Sequence, residues 1–200
     1  MPWLKGYWGR QFARPHGLGG KIATFVMNRM NTAMYDAVYE NISEGGHILD
    51  IGFGNGFTLE QLLKIFNGTF YGIDISGDMI RSATKRNRKA IQSGRLTLAE
   101  GSADAIPFTQ EFDCIYTVNT IYFWPDLDAG FREIRAKLIT GGIFLNVFYT
   151  KEMLDKLRSA DRGYNKYTPE ELKKAAEDNG FTAEIIPITE GRSYVVRAVK

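Results

Sequence analysis

The chain has 200 residues, 44% of them hydrophobic and 24% charged, and its formal net charge of +2 gives no reason to expect a nucleic-acid partner. The chain has a single cysteine, Cys114, which excludes a disulfide framework. It has only two histidines, and one cysteine with two histidines cannot form the usual zinc clusters, so we expect no metal. No run of 18 apolar residues occurs and the start, MPWLKGYWGRQF, lacks the apolar segment of a signal peptide, so we expect a cytoplasmic protein away from membranes.

The first half of the chain alternates helices and strands. Residues 1–18 are rich in aromatic residues, glycine and proline, and the apolar spacing from Gly19 onward predicts an amphipathic helix that Gly45–Gly46 ends. The next segments predict a strand HILDI, a helix FTLEQLLKIF, a strand TFYGIDI, one helix SGDMIRSATKRNRKAIQ and a strand RLTLAEG. Ser76 is the expected N-cap of the second of these helices.

The second half continues the alternation and then changes. FDCIYTVN predicts a strand buried on both faces, DLDAGFREIRAKL a helix closed by Gly141–Gly142, and IFLNVFY a strand. TPEELKKAAEDNG predicts a helix with a capping box of Thr168 and Glu171. The last strands, FTAEIIPI and RSYVVRAVK, are separated only by TEGR, which is too short for a helical crossover, so they must be antiparallel. The sum is an α/β fold with a parallel, doubly wound sheet and helices on both faces.

Three glycines, Gly52, Gly54 and Gly56, directly follow the strand HILDI. Ligands of such sheets bind beyond the carboxyl ends of the strands, and glycines let a ligand touch the backbone. We therefore expect a ligand against this loop. The dinucleotide fingerprint is G-x-G-x-x-G, whereas this spacing is G-x-G-x-G and Phe57 takes the place of the third glycine. This difference argues against a bound pyrophosphate.

Two further segments follow the second and third strands. Asp74 could accept both hydroxyls of a ribose, or it could be a turn aspartate before Ser76; its pairing with the glycine loop favours the ribose. The segment EGSADAIPF offers a backbone N–H and a side-chain acceptor for the edge of an adenine, or it is an ordinary loop broken by Pro107.

Together these motifs resemble the class I S-adenosylmethionine-dependent methyltransferases, and most of all their small, single-domain "type 11"-like group. The resemblance rests on ILDIGFGNG, YGIDIS, GSADAIPF, FDCIYTVNTIYFWPD and GGIFLNVF, in the family's order and spacing over about residues 45–200. It implies a Rossmann-like, seven-stranded sheet with an antiparallel last strand. It also implies S-adenosylmethionine as cofactor, with S-adenosylhomocysteine as product. We expect one domain, 1–200, with a core at 45–200 and an N-terminal lid or helical segment at 1–44.

The resemblance also assigns residues of this chain to the methionine part and the ribose of the cofactor. It implies that the loop from Gly52 to Gly56, with Phe53 in it, lets the methionine part lie against the backbone. Asp50 resembles the acid that holds the amino group, often through water. Asp74 resembles the acid that binds the ribose.

For the adenine, the resemblance is less complete. Ile75 and Met79 resemble the apolar residues that flank the base, and Ala103 stands where a backbone N–H meets adenine N1. The family usually places an aspartate directly after the glycine of this motif. Here that position is Ser102 and the acid is Asp104, so either could accept from the adenine amine.

Methyl transfer from a sulfonium is an in-line displacement in which the protein supplies alignment. Asn119 resembles the residue that lines the methyl-donor side. Tyr122 is the first candidate for a catalytic role, with a core or rim tyrosine as the alternative, and His16 is the second, with an exposed loop histidine as the alternative. The segment NTIY lacks the two prolines of N-P-P-Y, which disfavours exocyclic and amide nitrogens as acceptors.

Recognition of the acceptor must come from outside the shared core. Two aromatic segments, 1–20 and about 149–168, either enclose a small, partly apolar acceptor or pack the edges of the domain. Their candidate side chains for a substrate site or lid are Tyr7, Trp8, Arg14, Tyr164 and Tyr167.

Two other classes of function stay open at this point. One is a non-catalytic protein that binds S-adenosylmethionine or a partner on the same fold. The other is a nicotinamide-dependent oxidoreductase, which would need G-x-G-x-x-G and a catalytic Tyr/Lys pair or histidine, and we find neither in the sequence.

Overall fold

The computed structural model describes residues 31–42, 45–156 and 165–200. The helices of these residues are α1 (Thr32–Asn41), α2 (Phe57–Ile65), α3 (Gly77–Arg86), α4 (Arg88–Gln92), α5 (Leu127–Lys137), α6 (Lys151–Lys156) and α7 (Pro169–Asp178), with a 3₁₀ turn at Ile121–Phe123. The strands are β1 (His47–Ile51), β2 (Thr69–Asp74), β3 (Leu96–Glu100), β4 (Phe112–Val118), β5 (Leu138–Tyr149), β6 (Thr182–Thr189) and β7 (Ser193–Val199). Within these ranges, no helix is long and apolar enough to cross a bilayer.

The strands form one seven-stranded sheet in the order β3-β2-β1-β4-β5-β7-β6. Strands β1 to β5 are parallel, and β7 runs antiparallel to both β5 and β6. This confirms the predicted mixed sheet and its closing hairpin. Because the chain returns from β3 to the other side of β1, the strand order reverses between β1 and β4. A crevice is expected beyond the carboxyl ends of the strands at such a reversal.

A hydrophobic core covers each face of the sheet. One face packs against α1, α2 and α3 through buried residues that include Val38, Leu59 and Ala83. The other packs against α5 and α7 through residues that include Phe131 and Leu172. The apolar stripes of the helices thus lie on both sides, as the alternation of strands and helices predicted.

The predicted helix caps are present. The Ser76 hydroxyl accepts from the Met79 N–H at 3.4 Å at the start of α3. Thr168 and Glu171 form the reciprocal capping box of α7, with Pro169 at the first helical position. Gly180 follows α7 with a φ of +83°, the left-handed conformation that commonly ends a helix.

Two predicted helices have different bounds in the structure. The segment expected as one helix over residues 76–92 is two helices, α3 and α4, divided at Asn87. The buried Asn87 amide donates to the carbonyls of Gly56, at 3.0 Å, and Ala83, at 3.2 Å. The division of the helix thus falls at the residue that contacts the glycine loop.

The end of α5 also differs from the prediction. We expected Gly141–Gly142 to close this helix, but α5 ends at Lys137 and the next residue, Leu138, is already extended. The two glycines lie inside the long strand β5, next to an irregularity in its pairing with β4 between Phe112 and Cys114. They therefore belong to an irregular part of the strand, where glycine is common, and do not cap the helix.

Candidate active site

The candidate site lies at the carboxyl edge of the sheet, where the strand order reverses. The glycine loop follows β1, Asp74 ends β2, the segment from Gly101 follows β3, and Asn119 follows β4. β1 pairs in parallel with β2 and β4, and β2 pairs in parallel with β3, so these four strands end at one edge of the sheet. The residues that the sequence assigned to one ligand therefore share one side of the fold.

The three glycines of the loop differ in what a side chain at each position would meet. All have positive φ, between +56° and +77°. A Cβ on Gly52 would lie 2.3 Å from the Thr120 side chain, and one on Gly56 would lie 2.7 Å from the Ala83 Cβ. Among the described residues, nothing lies within 4 Å of a Cβ placed on Gly54. Gly52 and Gly56 are thus required by packing, while Gly54 borders open space that a ligand could occupy.

Asp74 is tied to the loop by hydrogen bonds. Its side chain is 8% exposed, its Oδ2 accepts from the Gly54 N–H at 2.9 Å, and its Oδ1 accepts from the Ser76 N–H at 2.9 Å. Burial raises the pKa of Asp74, and the two backbone hydrogen bonds lower it. Asp74 therefore makes the turn contact of the simpler alternative and also orients Gly54. Each carboxylate oxygen keeps a lone pair for a further donor.

Asp50 is a second buried acid on the adjacent strand. It is 3% exposed, and the Tyr116 hydroxyl donates to its Oδ2 at 2.7 Å. Burial raises the pKa of Asp50 to about 8, the hydrogen bond from Tyr116 lowers it, and the charge of Asp74 raises it. Burial thus disfavours the charged form of Asp50, and a nearby cation would favour it.

The residues assigned to the adenine lie beside Asp74 and after β3. Ile75 is 54% exposed, and Met79 is half-buried in the first turn of α3. The Ser102 hydroxyl donates to Asp104 Oδ1 at 2.5 Å, so the two candidate acceptors form one unit. Ala103 between them is buried.

Phe53 is placed differently from the other residues of the loop. Its side chain is buried in the core beneath the sheet edge, where a Cβ on Gly72 would lie 2.6 Å from its ring. Its carbonyl accepts from the Gly56 N–H at 3.0 Å and closes the turn. The Phe53 side chain thus anchors the loop from below.

Asn119 has a φ of +58°, and no other non-glycine residue in the described ranges has a positive φ. Its Oδ1 accepts from the Tyr122 hydroxyl at 2.9 Å and from the Tyr149 N–H at 3.3 Å. Its Nδ2 donates to Asn31 Oδ1 at 3.2 Å. Asparagine tolerates this left-handed conformation better than most residues, and three segments of the chain hold it there.

Tyr122 is 3% exposed, and its hydroxyl bonds Asn119 and the backbone of Tyr149. This placement fits the alternative of a core or rim tyrosine better than that of a base that meets an acceptor. Tyr167 is half-buried and packs against the core on the α5 and α7 face. Four side chains proposed for a lid or substrate site, and His16, lie outside the described residues: Tyr7, Trp8, Arg14 and Tyr164.

Three residues of the candidate site are not among the predicted site residues: Asn31, Tyr116 and Thr120. Tyr116 pairs with Asp50 in the register of β1 and β4, so a correct strand alignment would have found it. Asn31 and Thr120 meet their partners only through tertiary contacts. Across the described ranges, no group of three or more potential ligands among His, Cys, Asp and Glu is arranged to hold a metal ion.

A cavity of about 340 Å³ lies at the opposite edge of the sheet, near the starts of β1 and β4. Its two charged side chains already have partners within the protein. Asp113 accepts from the His47 N–H at 2.7 Å, and Arg197 pairs with Glu184 at 2.9 Å. It is separate from the candidate site.

The sequence is similar to those of known methyltransferases. A family model described as "Methyltransferase domain" matches residues 49–146. The uncharacterized methyltransferase YdaC of Bacillus subtilis (strain 168) is 32% identical over 125 residues, covering 60% of this chain and 67% of YdaC. The sterol 24-C-methyltransferase erg6 of Aspergillus fumigatus is 28% identical over 55% of this chain, but the match spans only 29% of that protein.

The fold has relatives of known structure. A SAM-dependent methyltransferase from Aquifex aeolicus superposes with a TM-score of 0.70 at 20% sequence identity, over 86% of this chain and 92% of that one. The chain therefore belongs to the class I S-adenosylmethionine-dependent methyltransferases, for which S-adenosylmethionine is the methyl donor. Within that class, it falls in the type 11 group. It is an enzyme, and the oxidoreductase and non-catalytic alternatives are dropped.

Proposed function

We propose that this methyltransferase acts on a small-molecule acceptor and binds its methyl donor along the carboxyl edge of β1, β2 and β4. In this proposal Asp74 accepts the ribose hydroxyls, the methionine part lies against the open side of Gly54, and Asp50 faces the amino group. The adenine lies between Ile75 and Met79 on one side and the segment Ser102–Asp104 on the other. Cofactor and acceptor are both bound by this one domain in the proposal.

The observation that carries the cofactor site is the Asp74–Gly54 hydrogen bond, at 2.9 Å. It joins the one acid at the end of β2 to the glycine of the loop whose Cβ direction is empty. A ribose acceptor and a bare backbone surface are thus adjacent, which is the arrangement that a nucleoside carrying an amino-acid chain requires.

The donor site fits the chemistry of methyl transfer. Bound S-adenosylmethionine supplies an electrophilic methyl group, and the reaction needs the acceptor held in line with it. The residues of the chain contribute binding and orientation: a buried acid, a rigid loop and the left-handed turn at Asn119. Tyr122 uses its buried hydroxyl to hold Asn119 and is not proposed as a general base.

The proposal of a small-molecule acceptor is supported by composition and by relatives. The net charge of +2 provides no strong field for nucleic acid. A sterol methyltransferase is among the relatives, although only part of it is matched. We also propose that the aromatic segments 1–20 and 149–168 enclose the acceptor; of the expected N-terminal segment 1–44, helix α1 packs in the core and is no part of a lid.

Transfer of a labelled methyl group tests the class of acceptor. With S-adenosylmethionine carrying a deuterated methyl group and a cell extract as acceptor mixture, we expect the label in the small-molecule fraction, detected by mass spectrometry. The Asp74→Ala variant should lose this transfer because it lacks the ribose acceptor. Label found only in protein or nucleic acid would contradict the small-molecule proposal while leaving the donor site intact.

The raised pKa of Asp50 predicts that cofactor binding depends on pH. If the positively charged amino group lies near Asp50, binding favours the carboxylate and releases a proton wherever the free acid is still protonated, which is below about pH 8. Affinity for S-adenosylhomocysteine should therefore rise as the pH rises from 6 to 8, by up to about tenfold per unit, and level off above. Calorimetry in buffers of different ionisation enthalpy measures both the affinity and the proton release.

Two variants isolate the contribution of Asp50. Asp50→Asn cannot titrate, so the pH dependence in this range should vanish. Tyr116→Phe removes the hydrogen bond that lowers the pKa of Asp50, so the rise in affinity should shift to higher pH. A wild-type affinity that does not change between pH 6 and 8 would exclude Asp50 from the amino-group site.

A further inference from the structure

Asn31 occupies the N-cap position of α1 but does not cap it. Asparagine is among the preferred N-cap residues because its side-chain oxygen accepts from the first backbone N–H groups of a helix. Here the Asn31 side chain makes no capping hydrogen bond within the described part of α1. It is 5% exposed and is directed instead toward the end of β4.

Asn31 Oδ1 accepts from two groups of the candidate site. The Asn119 Nδ2 donates to it at 3.2 Å, and the Tyr149 hydroxyl donates to it at 3.2 Å. Tyr149 also donates its backbone N–H to Asn119 Oδ1 at 3.3 Å. Asn31, Asn119 and Tyr149 thus form a closed ring of hydrogen bonds that joins α1, the end of β4 and the end of β5. We call this the asparagine ring.

The orientation of the Asn119 amide in the ring follows from donor and acceptor chemistry. The Tyr149 N–H donates to the Tyr122 hydroxyl oxygen at 2.5 Å and, at the longer distance of 3.3 Å, to Asn119 Oδ1. A backbone N–H can only donate, so this atom of the Asn119 amide must be the oxygen. The amide nitrogen then faces Asn31, which must present its own oxygen. The Tyr122 hydroxyl adds a second donor to Asn119 Oδ1 at 2.9 Å. Both ends of the amide are therefore held.

We propose that Asn31 is a positioning residue for the methyl-donor site, which acts by holding Asn119 in its left-handed conformation. A non-glycine residue at a φ of +58° is strained and persists only where its surroundings hold it. The backbone of Asn119 follows β4 at the reversal of strand order, so this conformation shapes the wall of the site. The proposal rests on the proposed donor site and names a residue that precedes the matched family region.

The test compares Asn31→Ala with a matched control in the same helix. Asn31→Ala removes the oxygen that accepts from two partly buried donors, the Asn119 amide and the Tyr149 hydroxyl, and leaves the Asn119 amide with the weaker Met34 sulfur at 3.3 Å. It should weaken S-adenosylhomocysteine binding about tenfold. Asn31→Asp keeps an oxygen for both donors and should restore most of the affinity. Asn41→Ala removes an amide at the far end of α1 that donates to the Ala37 carbonyl at 2.8 Å, and should leave the dissociation constant unchanged. Thermal unfolding of each variant gives the change in stability.

A double-mutant cycle separates positioning from general support of the fold. Glycine adopts a positive φ freely, so Asn119→Gly keeps the turn but has no amide for Asn31 to hold. In that background, Asn31→Ala should cause no further loss of affinity. Additive losses would overturn the proposal, as would an Asn31→Ala variant that unfolds at lower temperature but binds like Asn41→Ala. If Asp74→Ala also binds normally, the donor site itself is misplaced; if only Asn31→Ala does, the inference alone fails.

Discussion

Replacing Asp74 with alanine is expected to weaken S-adenosylhomocysteine binding by about 10- to 150-fold. Hydrogen bonds to a charged group are worth about 1.5–3 kcal/mol, and each factor of ten in affinity corresponds to about 1.4 kcal/mol. The variant loses the ribose acceptor and also leaves the Gly54 and Ser76 N–H groups without their partner. Isothermal titration calorimetry on the folded variant measures the change.

Two controls separate the ribose contact from general effects of charge. Asp78→Ala removes a carboxylate four residues further along, in the first turn of α3, where it pairs with Arg81 at the surface. Its affinity should match the wild type. Asp74→Asn keeps one oxygen acceptor but not the charge, and should bind with intermediate affinity. A folded Asp74→Ala protein with an unchanged dissociation constant would remove Asp74 from the cofactor site.

Replacing Gly54 with valine is expected to abolish measurable binding, with the chain still folded. The added side chain would project into the open space beside the loop, which the proposal gives to the methionine part of the cofactor. A valine at a φ of +56° also adds local strain, of about 1–3 kcal/mol, which the protein must tolerate. Calorimetry and circular dichroism on the same sample measure binding and folding together.

Gly94→Val is the matched control for this variant. Gly94 also has a positive φ, +77°, and no atom of the described ranges lies within 4 Å of a Cβ placed there. It precedes β3 and lies at the other end of the strands from the loop. Both variants should lose similar stability, and only Gly54→Val should lose binding. Retained binding by Gly54→Val would mean that the ligand does not lie against this glycine.

The other two glycines of the loop show what sequence patterns do not resolve. All three looked alike as a motif, yet Gly52 is constrained by Thr120 and Gly56 by Ala83, and only Gly54 borders free space. These contacts come from β4 and α3, distant elements whose approach a local pattern does not contain. A distant contact also marks the break in the helix that periodicity predicted as continuous. At this break, the Asn87 amide donates to the Gly56 carbonyl.

The position of Asp74, by contrast, follows from local sequence. An acid at the end of an apolar strand, one strand after a glycine loop, must lie at the carboxyl edge of a parallel sheet. The hydrogen-bond partner of Asp50 does not follow from local sequence. Tyr116 is 66 residues away and meets Asp50 only when β1 and β4 pair in register. The pKa of Asp50 depends on that burial and on that partner, so it could not be derived from the motif.

The sequence alone determined the alternation of strands and helices, the antiparallel closing hairpin, the caps of α3 and α7, and the loop and acids of the site. These features depend on periodicity, turn chemistry and the order of motifs, which are properties of neighbouring residues. Only the tertiary structure decided the strand order, the separate constraints on the three glycines, the burial that raises the pKa of Asp50, and the asparagine ring, in which Asn31 and Asn119 are 88 residues apart. The physical reason is that hydrogen-bond geometry and desolvation depend on distances between elements, and these distances are set by packing of the whole sheet.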